Sequence, residues 1–534
     1  MLLDGQSRRG RHQAQGPQSI GLSATLIFIA TLVSRVSGFA REIVMAVFFG
    51  TTMGTDAWLM ASALPNLMFA SVNGAINVTV VPLMTQGDAD YSKRSIERFL
   101  NEAFTAAMVL SFILMVLGEA FTPFIIHTMA PGFDHHRVEL HLTILMTRIM
   151  IPTIAFWAVS GLMMGVLQAR EEFFAPALTP ALVNFVRVST IVILGHMLFG
   201  ITGVALGFTL AVISQLALLI PRLHSMDIHL HFRWHFSHPL TKRMARIAGP
   251  FFLTSSVGSV GILVDRILAS GLVVGSIAAL NYSYVLVQIP IGLIISSLAM
   301  PIYTRLAQHS STHDMENFRG LAMQGFRLVL ALLVPITIWF LMLRIPILRL
   351  LYQHGVFNGR STDLTSGTLL YFAVGLPGFG VTYYLQRLFF ATQDTKSPAR
   401  FSILTILINI IGDLILVHYL KADGLALATG GASWVNATLL SFKVLNPRYH
   451  HNLKLRRTFL TLALAGAVMA LATELMYRFL HLATLSGITP LLFTLFLTAI
   501  ITGFIYFILL YLVHFPDLPE ILSRITKGRY SAPR

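Results

Sequence analysis

The feature that most constrains this chain is a succession of apolar runs long enough to cross a lipid bilayer. A membrane-spanning helix needs about 20 mostly apolar residues. Charged residues make up only 11% of the chain, against roughly 25% in soluble domains, because charge is expensive in hydrocarbon. The sequence therefore predicts an all-α polytopic membrane protein with about 14 transmembrane helices. The predicted spans are 20–49, 56–85, 98–121, 140–168, 174–197, 201–221, 245–270, 276–304, 320–342, 364–392, 400–419, 424–443, 458–480 and 488–514.

The basic residues predict which way the chain lies in the membrane. Of the 38 Lys and Arg residues, 25 fall on the side of the N-terminal tail, 6 in the opposite loops and 7 inside spans. Such an excess marks the cytoplasmic side, so we expect both termini to be cytoplasmic and the loops to contact anionic lipids. These basic loops account for the net charge of +15, so we expect no nucleic acid as a partner. The polar start of the chain, followed by a long apolar run, predicts no cleavable signal.

An internal repeat divides the chain into two halves at an offset of about 220 residues. Segment 203–207 resembles 424–428, segment 81–85 resembles 300–304, and Asn184 corresponds to Asn409. The unit holds six spans, so both halves enter the membrane in the same direction, with a substrate path between them. We predict an N-terminal lobe at 1–222 and a C-terminal lobe at 223–446. Two further helices and a basic tail occupy 447–534.

Charged side chains inside the predicted spans are candidates for function. Arg35 and Arg41 lie six residues apart on the first span and can line one cavity wall, where paired guanidiniums suit a phosphate. Arg387, near a helix end, favours a snorkelling role. For Arg187 the sequence does not decide between a structural and a functional role. For Asp56 the sequence does not decide between a helix N-cap and a side chain that faces a cavity.

A second group of polar residues belongs to the C-terminal half of the repeat. Asn409 and Asp413 are four residues apart on one helix face. With Asp265 and Thr429 they offer hard oxygen ligands for a small cation. Spacing alone leaves open a plain Asp–Asn hydrogen bond.

The loop before the seventh span is rich in histidine. Segment 228–236 alternates apolar with basic residues, which favours an interfacial segment over a metal site. The chain has no cysteine, which excludes disulfides and thiolate sites. It also lacks the common nucleotide-binding and hydrolase motifs. We therefore expect a transporter and not an enzyme.

Several segments resemble the MurJ (MviN) family of lipid II flippases, which belongs to the multidrug/oligosaccharidyl-lipid/polysaccharide (MOP) exporter superfamily. The likeness runs nearly the whole chain in order and rests on the segments 34–41, 56–57, 64–66, 130–134, 264–266, 280–282, 375–379, 393–395 and 434–436.

The resemblance implies two six-helix lobes and two C-terminal helices that form a groove for a polyprenyl tail. It implies transfer of an undecaprenyl-pyrophosphate-linked peptidoglycan precursor between leaflets of the bacterial inner membrane by alternating access, and we expect a monomer. The predicted substrate-binding residues are Arg35, Arg41, Asp56, Asn66 and Arg266. The resemblance also implies a possible Na⁺ site formed by Asp265, Asn409, Asp413, Thr429 and the carbonyl of Leu425.

Two positions depart from the family pattern. Phe69 and Val285 stand where the family usually carries arginines of the headgroup cluster, although Arg266 is a possible substitute. These departures keep alternatives open: an exporter of another polyprenyl-linked glycan or amphipathic solute, or a non-transporting membrane scaffold. A membrane transferase is disfavoured, because no acidic cluster beyond Glu171 and Glu172 lies at a surface loop.

Overall fold

The computed structural model describes residues 17–295, 315–392, 394, 396–444, 455–482, 484–485 and 487–515. Every regular element in these ranges is helical. The basic tails and residues 296–304 of the predicted eighth span lie outside them. The helices are α1 Pro17–Phe49, α2 Met53–Ala61, α3 Ala63–Asp90, α4 Lys93–Met129, α5 Arg137–Met150, α6 Thr153–Ala169, α7 Phe174–Thr190, α8 Ile201–Ser225, α9 Pro239–Ala269, α10 Ser276–Pro290, α11 Met315–Met342, α12 Arg344–Leu351, α13 Gly359–Ala391, α14 Lys396–Val444, α15 Leu455–Phe479 and α16 Ile488–Leu512.

Several predicted spans are composite elements. Helices α5 and α6 together form one continuous apolar segment, and α7 and α10 continue as short π-helical stretches, Ile191–Phe199 and Ile291–Ile295. Helix α14 bends back at Lys421, which has φ +55° and separates two limbs. The prediction of an all-helical polytopic protein is confirmed. Ten helices of the described part are long and apolar enough to cross a membrane, so the count of fourteen stays a prediction.

Small residues bring neighbouring helices into close contact, as is common in membranes. A Cβ on Gly375 of α13 would collide with the backbone of Gly430 in the second limb of α14. Ser433, one turn further along α14, donates a hydrogen bond of 3.0 Å to the carbonyl of Gly375. Helices α13 and α14 therefore pack along their backbones, which fixes the position of the polar residues that α14 carries.

The repeat has structural counterparts at two matching turns. Gly203 at the start of α8 packs against the carbonyl of Leu194, and Gly424 at the start of the second limb of α14 packs against the carbonyl of Leu416. In each half the glycine lets one helix fold back against the preceding one with no side chain between them. The two hairpins carry Asn184 and Asn409 on their first limbs.

Helices α15 and α16 lie beside the C-terminal half and pack on α11. The indole of Trp339 in α11 donates a hydrogen bond of 3.0 Å to Thr502 in α16, and Gly466 of α15 leaves room for Ile338. Their opposite faces are apolar and exposed, with Phe479 81% and Phe504 67% accessible. Such a surface is typical of a helix that contacts lipid.

The crossing of α13 and α14 gives a testable prediction of stability. Gly375→Ala forces the two backbones apart, and overpacking of this kind costs roughly 1–3 kcal/mol. We expect a lower midpoint of thermal unfolding in detergent and less monodisperse protein on size exclusion. Gly431→Ala is the control, because a Cβ on this neighbouring, exposed glycine would contact nothing. Equal midpoints for the two variants would contradict the close approach.

Candidate functional site

A polar cluster lies where α1 meets α7 and α10. The guanidinium of Arg41 donates hydrogen bonds to Asn184 of α7 at 3.1 Å and to Glu42 at 2.5 Å. Asn281 of α10 donates to the second carboxylate oxygen of Glu42 at 3.3 Å. Glu42 is buried, so its charge is compensated inside the protein. Because α1 and α7 belong to the first half of the repeat and α10 to the second, this cluster joins the two halves.

Two further guanidiniums lie within electrostatic range of Glu42. Arg187 stacks on the ring of Phe208, with Cζ 4.1 Å from the ring centre. Arg266 donates a hydrogen bond of 2.6 Å to the carbonyl of Leu59. The cluster therefore carries three cationic groups near Glu42, and one of them, Arg266, also lies beside the carboxylate of Asp265.

Two of these guanidiniums keep buried donors without an acceptor. The Nε atoms of Arg41 and Arg187 are buried and have no hydrogen-bond partner among the described residues. An unpaired buried donor costs about 1–3 kcal/mol. A net positive cluster with spare N–H groups is matched by an anion such as a phosphate, which can accept several hydrogen bonds at once.

The remaining predicted headgroup residues lie in different places. Arg35 is exposed, and its guanidinium lies against the backbone of Gly292 in the second half of the repeat. Asn66 is exposed on α3, and its side chain makes no hydrogen bond with a described residue. The structure therefore brings Arg41 and Arg266 to the cluster, places Arg35 at the interface between the halves, and leaves Asn66 apart.

Four members of the cluster, namely Glu42, Asn184, Arg187 and Asn281, were not among the predicted site residues. Glu42 follows Arg41 directly, and adjacent helical residues do not share a face, so spacing gave no reason to pair them. Asn184 had a usable signal, because it is the repeat counterpart of Asn409. Asn281 lies within one of the family-like segments but was given no role.

Asp56 links the two halves at the end of the bundle where α1 joins α2. Its carboxylate accepts hydrogen bonds from the backbone N–H groups of Gly275 at 2.6 Å and Ala278 at 2.8 Å. These groups belong to the N-terminus of α10, where unpaired donors and the helix dipole favour a negative charge. Asp56 is thus a cap for a helix of the other half, an arrangement we call the Asp56 latch.

Further contacts close the same end of the bundle. Thr51 donates to Ser361 at 2.8 Å, and the N–H of Val356 donates to the carbonyl of Val47 at 2.8 Å. The hydroxyl of Tyr282 donates to the carbonyl of Gly50 at 3.2 Å. The connection between α1 and α2 is therefore held against α10 and α13.

A second carboxylate forms an equivalent contact at the opposite end, where α3 joins α4. Glu102 of α4 is buried and accepts hydrogen bonds from the N–H of His238 at 3.0 Å and the hydroxyl of Thr241 at 2.9 Å, at the N-terminus of α9. Arg98, one turn earlier, donates to its other oxygen at 3.2 Å. In this Glu102 latch an N-terminal helix again caps a helix of the predicted C-terminal lobe.

The five residues of the predicted cation site meet between α9 and α14. Asn409 donates to Asp413 at 2.9 Å and approaches Thr429 at 3.4 Å. Thr429 lies 3.3 Å from a carboxylate oxygen of Asp265 and 3.0 Å from the carbonyl of Leu425. The sequence placed these residues in one group from spacing and resemblance, and the structure brings all of them together.

This group contains carboxylate oxygens that nothing in the protein satisfies. Oδ1 of Asp265 and Oδ1 of Asp413 are both buried and lack a hydrogen-bond partner among the described residues. Arg266, next to Asp265, directs its hydrogen bond to Leu59 instead. Two buried carboxylates with free oxygens fit a small cation, which prefers ligands of this kind.

Two further intramembrane arginines have local partners. Arg148 forms an ion pair of 3.3 Å with Glu119 on α4, and exposed Arg387 donates to Tyr383 one turn earlier at 2.9 Å. These contacts support a structural role for both. Val285, one of the two departures, is only partly buried, and the side chain of Phe69 lies outside the described atoms.

The Asp56 latch gives a second prediction. The chain has no cysteine, so the double variant Thr51→Cys with Ser361→Cys contains only the two introduced thiols, and a disulfide between them reports closure at this end. Oxidation should cross-link the pair in an otherwise native background. Adding Asp56→Ala removes two charge-assisted hydrogen bonds, worth about 1.5–3 kcal/mol each, and should slow cross-linking by about tenfold or more. Asp363→Ala, at an exposed position of α13, is the control. An unchanged rate in Asp56→Ala would show that the latch does not hold this end closed.

Comparison with known proteins identifies relatives across nearly the whole chain. The model of the family described as "Lipid II flippase MurJ" matches residues 45–497. A probable lipid II flippase MurJ of Rhizobium tropici is 29% identical over 94% of this chain and 95% of its own length. The corresponding protein of Rhizobium meliloti is 30% identical over 83% and 84%. The lipid II flippase MurJ of Burkholderia cenocepacia is 26% identical over 77% and 81%.

Solved structures agree with this relationship. A lipid II flippase MurJ in an inward closed conformation is 25% identical, covers 94% of this chain and 99% of its own, and superposes with a TM-score of 0.77. An inward-facing multidrug transporter of the MATE family has a TM-score of 0.63 over 80% of this chain at 14% identity, which shows a shared fold alone. The chain therefore belongs to the lipid II flippase MurJ family.

Proposed function

We propose that this protein moves lipid II, the undecaprenyl-pyrophosphate-linked peptidoglycan precursor, from the inner to the outer leaflet by alternating access. The observation that carries the proposal is the net positive cluster between the two halves, with unpaired buried donors on Arg41 and Arg187. A pyrophosphate supplies the acceptors that these donors lack. Family membership and multiple apolar helices make the chain a multi-pass protein of the bacterial inner membrane. The family is one of transporters and not of catalytic enzymes by name.

The proposed orientation follows the distribution of basic residues. The end with the Glu102 latch faces the cytoplasm, together with both termini, and the end with the Asp56 latch faces outward. Transport then requires the two latches to open in turn, because each closes one exit from the cluster. Each latch is a carboxylate on a helix N-terminus, so its opening exchanges hydrogen bonds in one step without unfolding a helix. The chain acts as a monomer in this proposal, since one copy holds both halves.

Arg41 occupies the centre of the proposed headgroup site. Arg41 lies on α1 and donates to Asn184 of α7 and to Glu42, which in turn accepts a hydrogen bond from α10. Arg187 and Arg266 supply the positive charge that Phe69 and Val285 do not. A lysine could replace the charge of Arg41 but not its fork of donors, which reaches Asn184 and Glu42 together.

The sodium proposal concerns the second polar group. We assign Asp265, Asn409, Asp413 and Thr429, with the carbonyl of Leu425, as the residues that would hold Na⁺. The unsatisfied oxygens of the two carboxylates support this assignment. A bound cation would supply the positive charge that two neighbouring buried carboxylates need. Binding would also tie α9 to α14, which lie on the two sides of the group.

The flippase proposal is tested by replacing the host's own flippase with this chain. We expect the wild type to restore growth and the exposure of lipid II at the outer surface. Arg41→Ala should abolish both and Arg41→Lys should reduce both, because the guanidinium makes two hydrogen bonds at the cluster. Arg387→Ala is the matched control, an intramembrane arginine with a local partner, and should rescue fully. Equal rescue by Arg41→Ala and Arg387→Ala, with both proteins present in the membrane, would remove the cluster from the mechanism.

The cation site is tested by a binding measurement that does not depend on transport. We expect NaCl to raise the unfolding midpoint of the purified protein relative to equal KCl or choline chloride, because a ligand at 100 times its Kd adds about 2.7 kcal/mol. Asp413→Asn should abolish this difference. Asp363→Asn removes an exposed carboxylate of α13 and should leave it intact. A sodium response that survives Asp413→Asn would return the Asp–Asn pair to a purely structural role.

A further inference from the structure

The N-terminal half carries an apolar groove that the transport proposal does not use. It has a volume of about 550 Å³ and lies between α4, α6, α8 and the segment that follows α8. Its walls include Phe104 and Phe112 of α4, Phe156 of α6 and Leu216 of α8. Phe112 is 58% exposed, so the groove opens at the surface of the bundle. Of the residues that line it, His224 alone has a polar side chain.

The length of the groove matches one leaflet of a bilayer. It follows α4 from Phe104 to Met115, which at the rise of an α-helix is roughly 16 Å. The hydrocarbon core of a bilayer is about 30 Å thick. The length of the groove is therefore about half the thickness of the hydrocarbon core. This length suits a single acyl chain that enters from one side.

The mouth of the groove is formed by an extended segment between α8 and α9. Ile228 and Leu230 line the groove, while His229 and His231, between and after them, are exposed. This alternation follows from the twofold period of extended chain. The segment is anchored to α4, because the N–H groups of His231 and Arg233 donate to Asn101 and Thr105, each at 2.7 Å.

The exposed face of this segment carries positive charge. Arg233 is exposed, and no carboxylate of a described residue lies within ion-pair distance of its guanidinium. Two acidic residues lie near this segment, and both are paired. Asp227 pairs with Lys93 at 2.9 Å, and this hydrogen bond lowers the pKa of Asp227. Glu102 is buried and pairs with Arg98. The mouth is therefore not repulsive to an anion.

Histidine and aromatic side chains complete the mouth. His224, His229 and His231 form a stack with ring centres 5.0 and 6.4 Å apart. Within the described residues, no three His, Asp or Glu side chains are arranged to hold a metal ion. Trp234 is 68% exposed, as is common at the headgroup level of a membrane.

We propose that this groove binds one acyl chain of an anionic phospholipid, with the phosphate beside Arg233 and the histidine stack. The leaflet is the one that faces the Glu102 latch, which is cytoplasmic in the orientation given above. The proposal does not rest on lipid II as substrate, because neither the groove nor its mouth includes a residue of the polar cluster. The bound lipid would brace the segment that connects the two halves, immediately before His238 of the Glu102 latch.

The test is native mass spectrometry of the full chain in detergent, titrated with phosphatidylglycerol or phosphatidylcholine. We expect the protein to retain one phosphatidylglycerol molecule tightly and to retain phosphatidylcholine more weakly. Arg233→Gln should weaken the binding of phosphatidylglycerol by about fivefold, since one basic residue near an anionic surface is worth about 1 kcal/mol. The same change should leave the binding of phosphatidylcholine unchanged. Ala155→Phe fills the groove and should remove the retained lipid of either kind.

Matched controls separate the groove from the general lipid-facing surface. Ala120→Phe adds the same bulk at an exposed position of α4 outside the groove, and Arg456→Gln removes an exposed charge at the start of α15. Neither should change lipid binding, and all four variants should keep the unfolding midpoint of the wild type. Equal retention of the two lipids, retention in Ala155→Phe, or displacement of phosphatidylglycerol by equimolar undecaprenyl phosphate would overturn the proposal. The last outcome would assign the groove to a polyprenyl tail.

Discussion

A guanidinium held between a carboxylate and an asparagine is the interaction on which the polar contact between the two halves depends. In the first half, this guanidinium is that of Arg41, which lies between Asn184 and Glu42. In the second half, Asp265 and Asn409 occupy the corresponding positions of the repeat, and no cationic side chain of a described residue donates a hydrogen bond to them. The first half thus holds a cationic side chain at a place where the described part of the second half has none. This difference is the physical basis for assigning an anionic substrate to the first cluster and Na⁺ to the second.

The equivalence of these two places extends to the backbone around them. A Cβ at Gly38 would lie 3.2 Å from the amide of Asn184, and a Cβ at Gly261 would lie 3.2 Å from the amide of Asn409. In both halves a glycine lets the first helix of the repeat approach the asparagine of the hairpin. The two halves therefore share this packing, while the charged residues beside it differ.

Capping of helix ends connects this chemistry to movement between the halves. Asp56 and Glu102 each satisfy the N-terminus of a helix from the other half, at opposite ends of the bundle. Buried polar groups that lose their partners are costly, so each latch favours a fully closed or a fully open end over an intermediate. The polar cluster lies on the interface that both latches hold, and the groove of the N-terminal half lies beside the segment that leads into the Glu102 latch.

The sequence by itself determined the membrane class, the repeat and the grouping of Asn409 with Asp413. The long apolar runs and the scarcity of charged residues indicate a membrane environment. Because the backbone of such a run must satisfy its own hydrogen bonds in lipid, each run forms a helix. Asn409 and Asp413 were found because they share one helix face. What only the tertiary structure decided was which helices meet: that Glu42 pairs with Arg41, that Arg187 lies beside them, and that Asp56 caps α10. These contacts join residues on separate helices, and spacing along one helix carries no information about its neighbours.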